Sequence, residues 1–365
     1  MREIETLCKE SGLDKQLRCF MTEAEAGVTR LLAAFFFRNS GHNEGGDKTF
    51  VFTHKSFGEY LTVCRIVRAM EKIHGHIKRR DADPEDGWSE RRALKHWAQI
   101  CGPSAISPYM HTFLLNEVLL RPIEEVQSWQ GCFTGLFNHA LTHGLPMESL
   151  GAGRVCTFTK MLFQSRNAAE ALIVVLNACA CVTPRVSAIE HPTPEAFGTW
   201  FKRIKGQLKR FENVLAAKCL SFLNLSGVNL ILADLTNVNL AGSNLTNADL
   251  TDAHLNSACL RGATLTEADF TDADMSNAQL NGATMTKANL TGANLTGVNL
   301  TGVNLREANL RDADLTRANL SNADLTDADL RGADLTDVHL IDANLRYADL
   351  TNANLTGVNL RDANR

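Results

Sequence analysis

Few side chains in this 365-residue chain stand at the spacings that chemistry requires. His139 and His143 lie four apart, which on a helix puts two imidazoles on one face, half of a metal site. No Glu or Cys accompanies them and H-E-x-x-H is absent, so the pair reads as satisfied or solvent-facing. His74 and His76 are two apart, diverge on a helix, and read as surface. Ten Cys include no C-x-x-C pair, Cys179 and Cys181 being the nearest two; several fall in apolar helical runs, where a free thiol behaves as a small hydrophobe. No spacing sets up a Ser–His–Asp or Cys–His arrangement. There is no G-x-x-x-x-G-K-[ST], and no strand followed by an acidic pair to hold Mg²⁺. The expectation is a non-enzymatic protein with no metal and no cofactor, whose chemistry is recognition.

One residue type does recur at a useful spacing. From Leu225 to Leu360 every fifth position is apolar, 28 anchors without a slip, and 25 of them are Leu; the exceptions are Phe270, Met275 and Met285. Two positions before each anchor stands a small or β-branched residue, usually Ala or Val. The position between them is often acidic: Asp234, Asp249, Asp269, Asp274, Asp314, Asp324, Asp329, Asp334 and Asp349. A period of five suits neither regular structure. On an α-helix residues five apart sit about 140° apart and scatter round the surface. On a flat strand an odd spacing flips the face each time. The pattern works only if the chain turns a corner once per pentad, with the anchor and the residue two before it pointing inward. The two residues after each anchor then form the corner, and Thr, Ser, Gly, Asn and Asp suit it.

The unit A-(D/N)-L-x-x, seen in the run "ANLTGANLTGVNL", resembles the pentapeptide-repeat family over residues 221–360. That resemblance implies a right-handed quadrilateral β-helix, four pentads closing one 20-residue coil, and seven coils forming a rod of roughly 33 Å. On such a square, Asp234, Asp249, Asp269, Asp274, Asp314, Asp329, Asp334 and Asp349 fall on two adjacent sides, and Asp324 alone lies elsewhere. One edge is therefore expected to be an acidic ridge, a candidate docking face for a basic protein partner. Against this stands a plainer reading, solubility and the preference of Asn and Asp for tight turns. Phe270 is expected inside the coil, with Met275 and Met285 on the adjoining sides yielding to its ring.

Ahead of the repeat, Thr22 with Glu25 and Ser56 with Glu59 read as capping boxes opening two helices, the second running to about Ile77. Between them, "AAFFFR" and "KTFVFTH" joined by the loop Asn39–Asp47 read as a β-hairpin. The charged run Lys78–Asp86 reads as a solvated loop. Helices flanking a hairpin predict a winged helix, and "KTFVFTHKSFGEYLTVCRIV" is similar to a segment following the nucleotide-binding module of bacterial NACHT/STAND signalling proteins. The resemblance implies that His54 locks strand to helix. It also implies that a helical linking region couples an ATP-driven switch to a C-terminal repeat that docks a partner. With no phosphate-binding motif here, the NTPase module is expected to be lost, separately encoded or absent from this gene model. The organisation expected is a winged-helix-like domain over 1–80, a helical linking domain over 81–215 and the solenoid over 216–365. A rival resemblance is to pentapeptide proteins that bind DNA gyrase, which implies a DNA-mimicking acidic rod.

Charge divides in the same place. Residues 1–220 carry 28 Lys and Arg against 23 Asp and Glu, whereas residues 221–365 carry 9 against 18. An acidic repeat whose only aromatics are Phe222, Phe270 and Tyr347 argues against direct nucleic-acid binding. The thiols fit a reduced, cytoplasmic compartment, and the apolar run around Ala171–Val182 is expected to be too short to span a bilayer. At the ends of the solenoid, Leu220, Phe222 and Leu223 are expected to plug the first coil. Arg365, standing where the next Leu would fall, suggests an open last coil that either meets its twin in a tail-to-tail homodimer or continues in a repeat beyond this chain.

Overall fold

The computed structural model describes residues 37–42, 48–52, 55–147, 157–206 and 215–364. The chain divides into two units at Arg65/Ile66, a boundary that falls earlier than residue 80. In the first unit, strand β1 (Phe37–His42) pairs antiparallel with β2 (Lys48–Phe52). The hairpin forms, but β1 runs on into the expected loop. It does so by a register shift between Asn39 and Gly41, which bulges one extra residue out of the ladder. Helix α1 spans Lys55–Ala82. It begins one residue before Ser56, and Glu59 follows as a buried helical residue. The helix also swallows the first half of the charged run, because nothing between Lys78 and Ala82 breaks it and the first Pro comes at Pro84. His54 and the Thr22 capping box lie outside the described residues.

In the second unit, α1 is followed by α2 (Glu90–Cys101), α3 (Pro108–Leu119), α4 (Ile123–His143), α5 (Phe158–Val182), α6 (Pro194–Gly206) and the single turn α7 (Leu215–Lys218). Side-chain caps begin three of them: Ser89 accepts from Arg92 N, Ser107 from Met110 N and Thr157 from Lys160 N. Each satisfies an orphan donor of its first turn. Buried residues on α3 recur as Met110, Leu114 and Val118, one stripe at helical spacing. Helix α5 is different: residues 166–180 are buried on every side, and α2, α3, α4, α6 and α7 all pack on it. By length and composition Thr159–Val182 is able to cross a membrane, contrary to the expectation of a run too short. Yet 78% of its apolar window is buried by its own neighbours, as in a core helix. Fully burying each Leu, Ile or Val there contributes about 1.5–3 kcal/mol.

The buried polar side chains of this axial helix are all committed, Asn167 for one donating to Gly102 O. Arg166 and Glu170 form a buried ion pair; Arg166 Nε also donates to Ile204 O, and Glu170 accepts from Ala216 N. Asn177 donates to Ser221 Oγ at 2.6 Å and meets His111 Nε2 at 3.2 Å. These bonds fasten α6, α7 and the start of the repeat to one helix.

From residue 223 onward the chain is a stack of coils with parallel bridges between positions twenty apart, such as Asn224↔Asn244, Asn229↔Asp249, Asp234↔His254 and Asn239↔Cys259. Four ladders per coil follow. Backbone donors are accounted for pentad by pentad. The anchor N–H reaches the next coil (Leu225 N to Asn244 O), as does the second corner N–H (Gly227 N to Thr246 O). The residue before the anchor reaches the previous coil (Asn244 N to Leu223 O), and the residue two before it closes the turn (Val228 N to Leu225 O). Every second corner residue described has positive φ, hence the Gly, Asn and Asp there. Inside, the Leu anchors and their Ala or Val partners are buried from Leu223 to Leu345, as are Phe270, Met275 and Met285.

The first coil has no coil before it, and the helical region supplies what is missing. Asn224 N donates to Ser187 O, Asn229 N to Pro194 O and Asn239 N to Ala217 O. Ser187 in turn bridges Leu223 and donates its own N–H to Phe222 O. Leu220 and Leu223 are buried beneath, while Phe222 lies across the corner at Gly242, where any Cβ would clash with its ring.

Candidate functional site

The fifth backbone donor of each pentad, on the first corner residue, explains why Asp and Asn fill the position before the anchor. Asp249 Oδ1 accepts from Thr251 N, Asp269 from Thr271 N, Asp274 from Ser276 N, Asp314 from Thr316 N and Asp334 from Thr336 N. Asn residues do the same: Asn224 accepts from Ser226 N and Asn294 from Thr296 N. This side-chain turn asks for an oxygen and is indifferent to charge. The turn itself therefore does not choose Asp over Asn, and the segregation of Asp is the informative variable.

The ladders show where that choice falls. Asp249, Asp269, Asp329 and Asp349 stand in one ladder, and Asp234, Asp274, Asp314 and Asp334 in the next. Corner residues Asp252, Asp272 and Asp312 lie between the two. Where an Asn follows an Asp one coil later it donates back, as Asn289 Nδ2 does to Asp269 and Asn294 Nδ2 to Asp274 at 3.1 Å each. Where Asp follows Asp, that bond has no donor. Three such stacked pairs occur: Asp249/Asp269, Asp314/Asp334 and Asp329/Asp349.

The ridge is not uniformly available. Arg331 pairs with both Asp329 and Asp349, and the resulting hydrogen bonds hold the Asp329 carboxyl below the usual carboxylate range. At the N-terminal end, Lys205 of α6 lies 2.7 Å from Asp234 Oδ2. Burial alone would push that carboxyl up, but Lys205 and Thr236 outweigh it and hold it low. Asp324, off the ridge, pairs with Arg306. Asp249, Asp269, Asp274, Asp314 and Asp334 have no ion-pair partner among the described residues. They form the part of the edge open to a partner.

Other candidates sort differently. Among the described residues no group of three or more His, Cys, Asp or Glu gathers for a metal; the His139 and His143 rings lie 4.5 Å apart. His74 is half-buried and shares a 2.7 Å hydrogen bond with Ser128, and His76 stacks on Trp88 at 4.0 Å, so neither is the bare surface residue expected. Burial raises the thiols of Cys132 and Cys179 to about 12, which makes them poor nucleophiles. Sequence reasoning missed Ser243, whose Oγ donates to Leu220 O at 2.8 Å and accepts from Leu223 N. Its signal was there: it is the one hydroxyl in a column of Ala and Val.

Comparison with known proteins agrees with this geometry. The family model for Pentapeptide repeats matches in eight copies between residues 220 and 362. A search of curated proteins finds no match. Among solved structures, HetL from the cyanobacterium Nostoc sp. strain PCC 7120, a pentapeptide repeat protein involved in heterocyst differentiation regulation, is 36% identical over 40% of this chain and 75% of that one, with a TM-score of 0.27. Rfr23 from the cyanobacterium Cyanothece 51142 is 32% identical over 32% of this chain and 63% of that one, TM-score 0.23. QnrB1, a plasmid-mediated fluoroquinolone resistance protein, is 19% identical over 37% and 78%, TM-score 0.23. The family match begins at residue 220, and the NACHT/STAND resemblance of residues 1–80 has no counterpart in it. Its eight matched repeats place residues 220–362 of the chain in the pentapeptide-repeat family.

Proposed function

We propose that the protein is a non-catalytic interaction scaffold whose four-sided solenoid docks a basic protein partner along the edge bearing Asp249, Asp269, Asp274, Asp314 and Asp334. The stacked carboxylates carry this reading. Asp249/Asp269 and Asp314/Asp334 face one another across single coil steps with no ion-pair partner among the described residues, a like-charge arrangement that costs stability and that a bound Lys or Arg would relieve. The chain contains its own example of the complement, since α6 lays Lys205 on the first Asp of the same edge. In the finer form of this reading, residues 1–210 are the winged-helix and linking region of a NACHT/STAND-type system and the solenoid its docking part. That form rests on the motif around His54–Leu61.

The test exploits the turn chemistry. Asp249→Asn, Asp269→Asn, Asp314→Asn and Asp334→Asn together keep every turn oxygen, so the fold is retained while four charges go. Binding of a Lys-rich helical peptide, followed by fluorescence anisotropy across a salt series, is expected to weaken and to lose most of its salt dependence. Unchanged affinity and slope would leave solubility as the account of the ridge. The alternative, an acidic rod filling the basic DNA groove of an enzyme such as gyrase, draws on the same edge. Inhibition of gyrase supercoiling by the full chain, lost in the quadruple variant, would favour it.

A further inference from the structure

A cleft of about 350 Å³ opens between α1 and α4, away from the solenoid edge. Two helical faces make its walls. His74, Ile77, Lys78 and Asp81 recur on α1 at intervals of three and four; Ser128, Gly131, Cys132, Gly135 and Leu136 do so on α4. Each set therefore lines one side. The glycines are the unusual part. Each stands inside a helix, where glycine costs stability relative to alanine. A Cβ built on either would meet nothing within 4 Å, so no packing among the described residues explains them. They leave bare backbone as a floor on which a flat group can lie closely.

The charges around that floor come in two signs. Arg80 is held by Glu90 at 2.7 Å and by Asp81 at 2.9 Å, a trio with one net negative charge. Lys78, on the same wall, has no ion-pair partner among the described residues. The His74–Ser128 hydrogen bond adds a polar flank, and Ile77 and Leu136 add apolar walls.

We infer that this cleft binds a zwitterion the size of an aromatic amino acid, with its carboxylate toward Lys78, its ammonium toward the Asp81–Arg80–Glu90 trio and its ring on the Gly131–Gly135 floor. The volume lies within the range of small-ligand sites. The site is independent of the docking edge and stands or falls separately from it.

Saturation-transfer NMR of the full chain with millimolar L-phenylalanine and L-tryptophan tests the inference. Transfer is expected to the ring protons. Gly131→Leu should abolish it, and Lys78→Gln should weaken binding roughly tenfold; phenylacetate and phenethylamine, each lacking one charge, should bind more weakly than L-phenylalanine. Should Gly131→Leu fail to fold, the double change Gly131→Ala with Gly135→Ala fills the floor with better helix formers and serves instead. The inference is overturned if neither amino acid shows transfer, if floor-filled variants bind as wild type does, or if phenylacetate matches L-phenylalanine.

Discussion

Lys205 Nζ sits 2.7 Å from Asp234 Oδ2 and 2.6 Å from the Asp234 carbonyl oxygen. One ammonium thus joins α6 to the first coil through a charge that titrates and an acceptor that does not.

Lys205→Met is expected to destabilise the protein at pH 7 by up to about 1 kcal/mol, the range for pairs that remain partly solvated. The carboxyl is depressed in the folded state, so its contribution is complete above the unfolded Asp value of about 4 and fades as pH falls through the lower folded value. Urea denaturation of wild type and variant at neutral and acidic pH should show the difference shrinking in acid without vanishing, because the carbonyl bond persists. A gap that widens in acid would contradict the assignment.

Ser243→Ala restores the residue common in its column and is nevertheless expected to destabilise. The hydroxyl serves two backbone groups, Leu220 O and Leu223 N, and Ser243 is 1% exposed. Its loss strands both, at about 1–3 kcal/mol. The reciprocal change in a middle coil, Ala268→Ser, places a hydroxyl where the neighbouring backbone is already bonded, and no gain is expected. Thermal melts of the two variants decide the matter; a stable Ser243→Ala protein would show that water replaces the hydroxyl.

The solenoid was legible because its period allows only one solution. Each anchor, inward partner and corner residue declares its role by position alone, and Phe270 stands inside as its column requires. Legibility stopped where the period did. That Ser187, Pro194 and Ala217 offer carbonyls to the first coil follows from tertiary placement, and the acceptors are backbone atoms, which leave no mark on residue type. The length of α1 was misjudged because Lys78–Asp86 is charged, although charge on an exposed helical face is compatible with helix. At the docking edge the Asp pattern could be read directly. Its neutralisation by Arg331 and Lys205 could not, since partners two residues apart and 29 residues apart look equally remote from a five-residue repeat.

Phe270 and the two Met anchors give a third prediction. All three are fully buried, Met275 and Met285 on the two ladders that flank that of Phe270. Phe270→Leu alone should cost about 1–2 kcal/mol through the space its ring vacates. If the thioethers are shaped around that ring, adding Met275→Leu and Met285→Leu to Phe270→Leu should recover part of the loss. Each Met change alone in the wild type should cost under about 1.5 kcal/mol. Strict additivity across this series would mean that the three residues are packed independently.

Leu232 supplies the last. It occupies a second corner position with φ 54° and is 65% exposed, so it bears left-handed strain without burying its side chain. Asn237 and Asn247, one and three corners further on, hold the same conformation at φ 57°, and Asn tolerates it better than Leu. Leu232→Asn is accordingly expected to raise stability by about 0.5–1 kcal/mol, read as a higher urea midpoint. Tyr347 looks similar, with φ 62° and 75% exposure, but Arg346 lies over its ring at 5.3 Å and donates to its hydroxyl. Tyr347→Asn forfeits that contact, and its gain should be the smaller of the two. A loss of stability in Leu232→Asn would mean that the exposed leucine is held by a contact worth more than its backbone strain.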